Sequence, residues 1–462
     1  MADTPWLHDT VSLVDAFRSG ERSPVEEVEA TLAAIEASEL NAFSYVDAEA
    51  AREAARTADV SKPLGGVPIA VKQGHKTRGW PATEGSVALS DLTHDGDGTM
   101  ISRLREAGAI LVAQTTQSEF AGLNQTRTKL YGATGNPWEL TRTPGGSSGG
   151  AAAAVAGGVC TIATAGDGGG STRIPASFCG LPGLKATYGR IPKGPSMAMA
   201  NLVAVPGCLS RSVRDIARFY DVVNGFDPRD PYSLPRVEGW ERDLGTHGVR
   251  GLRVAISPNL GTAVVRGAVR DLVETHAELL VADAGLERVD LDIIAPEGSY
   301  EWAMAGMARI RDQLGDRWPA CADDLTPPIR FGLELAERTV DLQLMSQIEA
   351  QRTENNERMA AIFDQVDLVI AAVNPDVAFE AAGPLPTEVD GHRVPMGNNG
   401  ALTICANLWG NPAMSIPVGS VDGLPVGMQV IAGHHREQVL LDLAATIERN
   451  RPWPLIAPGS PT

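Results

Sequence analysis

The chain alternates segments of helical hydrophobic period with short runs of entirely apolar residues, which is the pattern of an α/β protein. Apolar residues repeat at helical spacing over residues 25–35. The preceding Ser23, Pro24 and Glu26 match a serine cap, a first-turn proline and a capping-box acid. A helix is therefore predicted to begin at this point.

Short apolar runs predict buried strands. One of them, GGVPIAVKQ over residues 65–73, ends one residue after Lys72. The segment MISRLREAGAILVAQTT, residues 100–116, predicts a helix that stops at Gly108 and is followed by a strand. Further strands are predicted over residues 251–257, 366–373 and 424–431, and a C-terminal helix over residues 436–450.

Residues 224–247 are rich in proline, aspartate and glycine. This composition predicts a surface connection rather than a flexible linker. It separates the half of the chain that carries recognisable motifs from a second half that we expect to be more irregular.

Composition narrows the class of protein. Hydrophobic residues make up 43% of the 462 positions and charged residues 21%, an ordinary globular mixture. The formal net charge is −18 and basic runs are absent, which predicts no nucleic-acid partner. Without a signal-like N-terminus or an apolar stretch of about 18 residues, we expect a cytoplasmic protein that does not enter a membrane. The five cysteines form no C-x-x-C pair, which predicts reduced thiols.

The most unusual stretch is TRTPGGSSGGAAAAVAGGVCTIATAGDGGGSTRIPASFCGLPG, residues 141–183. It places glycines around Ser147, Ser148 and Ser171. Taken alone, GGSSGG is compatible with a tight turn and GDGGGS with a phosphate loop. The phosphate interpretation lacks the Lys-Ser/Thr ending of a P-loop and the spacing of a dinucleotide fingerprint. A histidine mechanism is also disfavoured, because His75 has no acidic partner motif and the serines do not form G-x-S-x-G.

Taken together, these motifs resemble the amidase signature family, whose members use a serine, a second serine on a cis peptide bond and a lysine. PGGSSGG precedes an alanine-rich helix, and GDGGGSTRIPASFCGLPGLKATYGR then follows the family pattern. GGVPIAVKQ matches the lysine motif, TTQSEFA and YGATGNPW match the intervening segments, and ANLWGNPAMSIPVG and DGLPVGMQVI resemble the closing segments. Ser147 follows Lys72 by 75 positions and Ser171 follows Ser147 by 24, intervals that agree with this family. The resemblance is weakest over residues 224–364.

The resemblance implies an α/β/α sandwich around a large mixed, twisted sheet, the amidase signature fold. It also implies that residues 1–462 form a single amidase domain. We expect four parts: an N-terminal helical segment (1–60), a motif-bearing catalytic core (65–223), a divergent substrate-pocket region (224–400) and a C-terminal return to the core sheet (401–462).

The resemblance further implies Ser171 as nucleophile, Ser147 as proton relay and Lys72 as general base. Burial at the end of an apolar strand supports the last role, because desolvation disfavours the ammonium and lowers the lysine pKa. A cis peptide bond between Gly146 and Ser147 would aim the relay hydroxyl in a direction that a trans bond cannot supply. Ser148 is expected to support this network by hydrogen bonding, and an exchange of roles between Ser147 and Ser148 stays open.

The turn formed by Gly168, Gly169, Gly170 and Ser171 offers consecutive main-chain N–H groups and is the predicted oxyanion hole. The family usually carries Thr, Ile or Gln where this chain has Gly168. The departure adds backbone freedom and leaves room beside the hole.

Four further side chains are candidates for the site. Asp167 and Arg173 bracket the glycine turn and are predicted to support it as an ion pair. Gln117 and Tyr131 lie in segments that are expected to form part of the pocket wall. We expect no metal ion and no organic cofactor.

The main prediction is hydrolysis of the carbon–nitrogen bond of a non-peptide amide through an acyl-enzyme on Ser171. Cleavage of carbamates (a urethanase) or esters stays open, and the predicted partner is a small-molecule substrate, with a homodimer compatible with the sequence. The alternative is the glutamine-hydrolysing A subunit of a tRNA-dependent amidotransferase complex, against which we count the divergent segment at residues 193–213. A catalytically silent binding protein on the same scaffold is a third hypothesis.

The sequence does not identify the residues that line the substrate pocket, because the divergent region gives no contact list. Five large apolar residues in this region suggest an apolar pocket but are equally compatible with a core. They are Trp302, Met304, Met307, Trp318 and Met345.

Overall fold

The computed structural model of the protein describes residues 4–195 and 203–460, so that residues 196–202 of the divergent segment 193–213 lie outside the described residues. The helices in these ranges are α1 (Thr10–Ser19), α2 (Pro24–Ala37), α3 (Ala48–Arg56), α4 (Thr99–Glu106), α5 (Gly149–Ala156), α6 (Arg173–Cys179), α7 (Val213–Val223), α8 (Gly267–Ala284), α9 (Ser299–Leu314), α10 (Pro327–Thr339), α11 (Leu342–Phe363), α12 (Ala401–Trp409) and α13 (Glu437–Asn450). The strands are β1 (Phe43–Val46), β2 (Pro68–Lys72), β3 (Ile110–Thr115), β4 (Arg127–Thr128), β5 (Gly132–Ala133), β6 (Ile162–Asp167), β7 (Gly183–Lys185), β8 (Val205–Ser210), β9 (Arg253–Ile256), β10 (Glu287–Arg288), β11 (Leu368–Ala372), β12 (Glu388–Val389), β13 (His392–Arg393), β14 (Ala413–Val421) and β15 (Leu424–Ala432).

Two mixed sheets form the centre of the fold. One has the strand order β1-β3-β2-β6-β8, and the other has the order β10-β9-β11-β15-β14-β7. Strand β2 is parallel to both of its neighbours, whereas β6 and β8 are antiparallel. The edge strands β8 and β7 lie close together, so the helices cover what is nearly one continuous layer. The predicted α/β sandwich with a mixed sheet is confirmed, although hydrogen bonding divides its sheet into two parts.

The local predictions with strong signals are confirmed. Helix α2 begins at Pro24; Oγ of Ser23 accepts the Glu26 N–H at 3.2 Å, and Oε2 of Glu26 accepts the Ser23 N–H at 2.8 Å. The other predicted elements are α4, β2, β3, β9, β11, β15 and α13. The connection at residues 224–247 is also packed, since Trp240 is only 1% exposed.

The expectation of an irregular second half is wrong. Residues 267–363 contain the four helices α8 to α11. In α8 the buried positions Val269, Val273, Ala277 and Leu280 repeat at helical spacing, so the signal is present in the sequence. It is weak because apolar residues also occupy exposed positions of this helix, such as Leu279.

Helix α5 is an unusually close-packed element. All eight of its residues are buried, and a Cβ added at Gly150 would lie 2.6 Å from the main-chain N and O of Thr116 at the end of β3. Only a glycine therefore allows this helix to approach β3 so closely. None of the helices in the described part of the chain combines the length and the apolar content that crossing a bilayer requires.

The packing of α5 predicts that a glycine-to-alanine substitution has opposite effects on stability in α5 and in α9. Gly150→Ala is expected to lower the free energy of unfolding by about 1–3 kcal/mol, because the backbone of Thr116 cannot yield to the added methyl group. In α9, no atom lies within 4 Å of a Cβ added at Gly306. Gly306→Ala is therefore expected to raise the free energy of unfolding by about 0.5–1 kcal/mol. Urea unfolding of both variants measures the difference, and equal effects would contradict this account of α5.

Candidate active site

The predicted catalytic residues meet at one cavity of about 940 Å³ between the motif-bearing half and the helices of the second half. Lys72, Ser147 and Ser171 all line it, together with Gly168 and Gly169. The sequence separates these residues by up to 99 positions, and the adjacent strands β2 and β6 bring them together.

Lys72 ends β2, whose five residues are all buried, and its own side chain is nearly inaccessible. Nζ donates hydrogen bonds to Oγ of Ser147 at 2.7 Å and to Oγ of Ser148 at 2.8 Å. The main-chain N–H of Lys72 donates to Oγ1 of Thr164 on β6 at 2.8 Å, which fixes the end of the strand. The lysine is thus aimed at the two serines by the sheet itself.

Burial lowers the pKa of Lys72 to about 7, and the carboxylates of Glu84 and Asp167 only partly offset this effect. A substantial fraction of the side chain is therefore a neutral amine near neutral pH. A neutral amine that contacts a hydroxyl can accept its proton.

The peptide bond between Gly146 and Ser147 is cis. A Cβ at Gly146 would lie 2.6 Å from the main-chain N of Gln125, so this position accepts only glycine. The two adjacent serines differ in their surroundings: Ser147 lines the cavity, whereas Ser148 does not. Oγ of Ser148 instead contacts both the main-chain N and O of Gly166 at 3.3 Å. This arrangement favours Ser147 as the relay and Ser148 as its support.

Ser171 lies between β6 and α6 at the edge of the cavity. None of the described residues makes a hydrogen bond to its Oγ. Its hydroxyl is therefore available to a ligand.

The glycine turn differs from the prediction in one donor. The N–H of Gly170 donates to Oδ1 of Asp167 at 2.7 Å, so it is not available to an oxyanion. The N–H groups of Gly168, Gly169 and Ser171 have no acceptor among the described residues. Gly170 therefore shapes the turn, and the other three positions carry the available donors.

Asp167 and Arg173 form a fully buried ion pair behind the turn. Nε of Arg173 donates to Oδ2 of Asp167 at 2.9 Å, and Nη2 donates to Oδ1 at 3.0 Å. Burial alone would raise the pKa of the Asp167 carboxyl, but the charge and hydrogen bonds of Arg173 outweigh it and hold that pKa well below its ordinary value. The carboxylate that receives the Gly170 N–H is thus charged at neutral pH.

Helix α12 and strand β15 complete this support with residues that the sequence analysis did not single out. Asn407 donates to Oδ1 of Asp167 at 2.9 Å and accepts from Nη2 of Arg173 at 2.6 Å. Oγ1 of Thr403 donates to the carbonyl of Gly169 at 2.6 Å, and Gln429 accepts from Arg173 at 3.1 Å. Thr403 and Asn407 lie four positions apart on one face of α12, which is why both contact the turn.

The two predicted wall residues have different positions. Gln117 lines the cavity and donates to Oε2 of Glu84 at 2.9 Å. Tyr131 does not line it, because the β4–β5 hairpin directs its hydroxyl to Oγ1 of Thr83 at 3.3 Å. The assignment of Tyr131 to the pocket wall is therefore wrong.

The apolar residues of the second half also divide into two groups. Trp302, Met304 and Met307 on α9 line the cavity. Trp318 and Met345 do not line it, and pack in hydrophobic clusters that Met307 also contacts. Only three of the five apolar residues that the sequence suggested therefore form part of the cavity wall.

His75 lines the cavity without joining the serines. Its Nδ1 lies 2.8 Å from Oγ1 of Thr164. Burial, and then the charge of Lys72, lowers the pKa of His75 to about 3, so the ring stays neutral. Within the described ranges no three histidine, cysteine or acidic residues are grouped so that they could hold a metal ion.

Comparisons with known proteins agree with the fold. The Amidase family model matches residues 26–441. A solved 6-aminohexanoate cyclic dimer hydrolase is 28% identical with a TM-score of 0.89, and the match covers 99% of both chains. The solved A subunit of the glutamyl-tRNA(Gln) amidotransferase of Thermotoga maritima is 25% identical with a TM-score of 0.77, covering 98% of both chains.

A curated relative changes the functional interpretation. The A subunit of the glutamyl-tRNA(Gln) amidotransferase of Rhodopirellula baltica is 35% identical over 94% of this chain and 95% of its own length. The main prediction of an enzyme for a small non-peptide amide is contradicted by this match, which favours the alternative.

The predicted partners are contradicted for the same reason, since the name of the relative refers to a tRNA and to one subunit of an enzyme. The prediction from net charge is thus not supported by this comparison. The divergence of residues 193–213 was also a poor argument, since the similarity extends over nearly the whole chain.

The fold, the match over residues 26–441 and the similarity to the curated relative lead to one conclusion. The chain belongs to the amidase signature family and is an amidase, an enzyme that hydrolyses carbon–nitrogen bonds of amides.

Proposed function

We propose that this protein releases ammonia from the side-chain amide of glutamine as the A subunit of a tRNA-dependent amidotransferase. The observation that carries the proposal is the match to the A subunit of a glutamyl-tRNA(Gln) amidotransferase over 94% of the chain. The contact between a buried lysine amine and two serine hydroxyls supports the chemistry.

In the proposed first step, the neutral amine of Lys72 takes the proton of Ser147, and Ser147 takes the proton of Ser171. Oγ of Ser171 then attacks the carbon of the glutamine side-chain amide. The distance of 2.7 Å between Nζ of Lys72 and Oγ of Ser147 is short enough for a proton to pass between them. The N–H groups of Gly168, Gly169 and Ser171 would stabilise the oxyanion that forms.

The carbon–nitrogen bond then breaks as the proton returns through Ser147 to the leaving nitrogen, which departs as ammonia. A water molecule gives its proton to the same relay and attacks the γ-glutamyl ester on Ser171. Glutamate leaves and the serine is regenerated, so the balance is glutamine plus water to glutamate plus ammonia.

The charges at the cavity are compatible with a zwitterionic amino acid. Arg309 lines the cavity and offers a cation for an α-carboxylate. Glu84 lies close enough to Lys72 to influence its pKa and offers an anion for an α-ammonium group. Both charges lie at the cavity that contains Ser171.

A chain with this role requires other subunits to bring the glutamyl-tRNA, so we propose that it acts in a complex. We also propose a cytoplasmic location for it, the compartment that the sequence predicted. The acidic chain itself need not hold the tRNA.

The proposal predicts that the purified chain, assayed with its partner subunits where these are required, releases ammonia from glutamine. Ser171→Ala is expected to reduce kcat/KM at least about 10,000-fold, because the nucleophile is lost. Ser90→Ala, at an exposed position, is the control and should retain activity. Hydrolysis of a cyclic 6-aminohexanoate amide, with glutamine untouched, would contradict the proposal.

The pKa of Lys72 predicts the pH dependence of kcat/KM. Because the amine is the active form and the pKa is about 7, activity should rise with pH up to about 7 and level off above it. Each unit below that value should cost about tenfold, as the ammonium replaces the amine. Rates in buffers of constant ionic strength measure the profile, and a flat profile between pH 5 and 8 would count against the lysine base.

The buried ion pair predicts that Arg173→Lys lowers kcat/KM about 10- to 100-fold. Lysine cannot donate in the guanidinium fork, so Asp167 would hold Gly170 less firmly. Arg218→Lys removes a second bidentate pair, with Glu241, away from the cavity and is the matched control. Equal kinetics of the two variants would contradict the role of Arg173.

A further inference from the structure

We infer that Trp302 is a positioning residue for the oxyanion turn, and that it fixes the direction of the Gly168 carbonyl. The inference rests on the proposed role of Ser171 as nucleophile, but not on the identity of glutamine as substrate. Trp302 lies in the second half of the chain, on α9, far in sequence from the turn that it contacts.

The contact has two parts. Nε1 of Trp302 donates a hydrogen bond to the carbonyl of Gly168 at 2.6 Å. The same ring covers Gly169, because a Cβ at Gly169 would lie 2.7 Å from Cζ2 and 3.0 Å from Cε2 of Trp302. The indole therefore requires glycine at position 169 and holds the carbonyl of position 168.

The next carbonyl is held in a similar way. Oγ1 of Thr403 donates to the carbonyl of Gly169 at 2.6 Å, while Asp167 accepts the N–H of Gly170. The carbonyl of Gly168 and the N–H of Gly169 belong to one peptide unit, so the bond from Trp302 also fixes the direction of that N–H, which has no acceptor among the described residues.

The hydrogen bond matters because three consecutive glycines resist rotation weakly. Without the indole N–H, the peptide unit after Gly168 has no described side chain that donates to its carbonyl. Rotation of that unit would turn a carbonyl toward the cavity in place of the N–H of Gly169, and a carbonyl repels an oxyanion. Trp302 thus acts on the transition state through the turn.

The position on α9 also connects the turn with the substrate. Met307 and Arg309 on the same helix line the cavity. A ligand that contacts them therefore contacts the helix that carries the indole. Trp302 itself lines the cavity beside Gly168 and Gly169. Trp302 therefore lies where it contacts the turn and faces a ligand in the cavity.

The test uses a reaction that does not depend on the natural substrate. An alkyl fluorophosphonate labels an activated serine: a bond forms between Oγ of Ser171 and phosphorus, the phosphorus–fluorine bond breaks, fluoride leaves and the hydroxyl proton passes to the Ser147–Lys72 relay. The phosphonyl oxygen must occupy the oxyanion hole. The rate is measured on the full chain by intact mass, and peptide mapping locates the label.

Trp302→Phe keeps an aromatic ring but removes the N–H, and we expect labelling about 10-fold slower or more. Trp318→Phe is the matched control, because its indole donates to Oε1 of Glu337 at the same distance of 2.6 Å and it does not line the cavity. Its rate should equal that of the unchanged protein. Equal rates for Trp302→Phe and the unchanged protein would overturn the inference.

Gly169→Ala gives an independent variant, since its methyl group should displace the indole. If both changes act by breaking the same contact, the double variant should be about as slow as the slower single variant. Multiplied effects would show that Trp302 does not act through the turn and would overturn the inference.

The outcomes distinguish this inference from the proposed function. Labelling of Ser171 that depends on Trp302, in a chain that does not hydrolyse glutamine, would retain the inference and reject the substrate. Absence of a label on Ser171 in the unchanged protein would reject both the nucleophile and the role of Trp302.

Discussion

The site depends on one contact, the buried amine of Lys72 against the hydroxyls of Ser147 and Ser148. The contact requires a lysine in a buried place, because desolvation is the main effect that brings its pKa down to about 7. The fold provides that place by ending the buried strand β2 beside a close-packed α5. The small residues around the serines thus serve the chemistry by allowing the backbones to approach closely around the lysine.

A second set of contacts supports the glycine turn beside Ser171. These contacts come from elements in the second half of the chain. Asp167 accepts a hydrogen bond from a residue of α12, and Arg173 donates one to a residue of β15. Trp302 of α9 contacts the same turn. A turn of consecutive glycines has little stiffness of its own. Its shape is therefore a property of the whole fold, and the divergent half of the chain takes part in it.

The sequence could predict whatever rests on local signals. The cap of α2, the strand that carries Lys72 and the alignment of three catalytic candidates follow from motif and spacing. It could not predict Trp302, whose contact with the turn has no local pattern, or the use of the Gly170 N–H by Asp167. The substrate class was predicted wrongly, because the same acyl-transfer residues serve a free hydrolase and a component of a complex, and net charge does not separate the two.

The central claim is that Lys72 is a neutral base at physiological pH. The direct measurement is an NMR titration of the Nζ group in protein with isotope-labelled lysine, assigned through the signal that disappears in Lys72→Met. If Lys72 is the base, its Nζ group should titrate near pH 7. A signal that titrates near the ordinary lysine pKa of 10.5 would mean that the amine stays protonated and would contradict the proton relay.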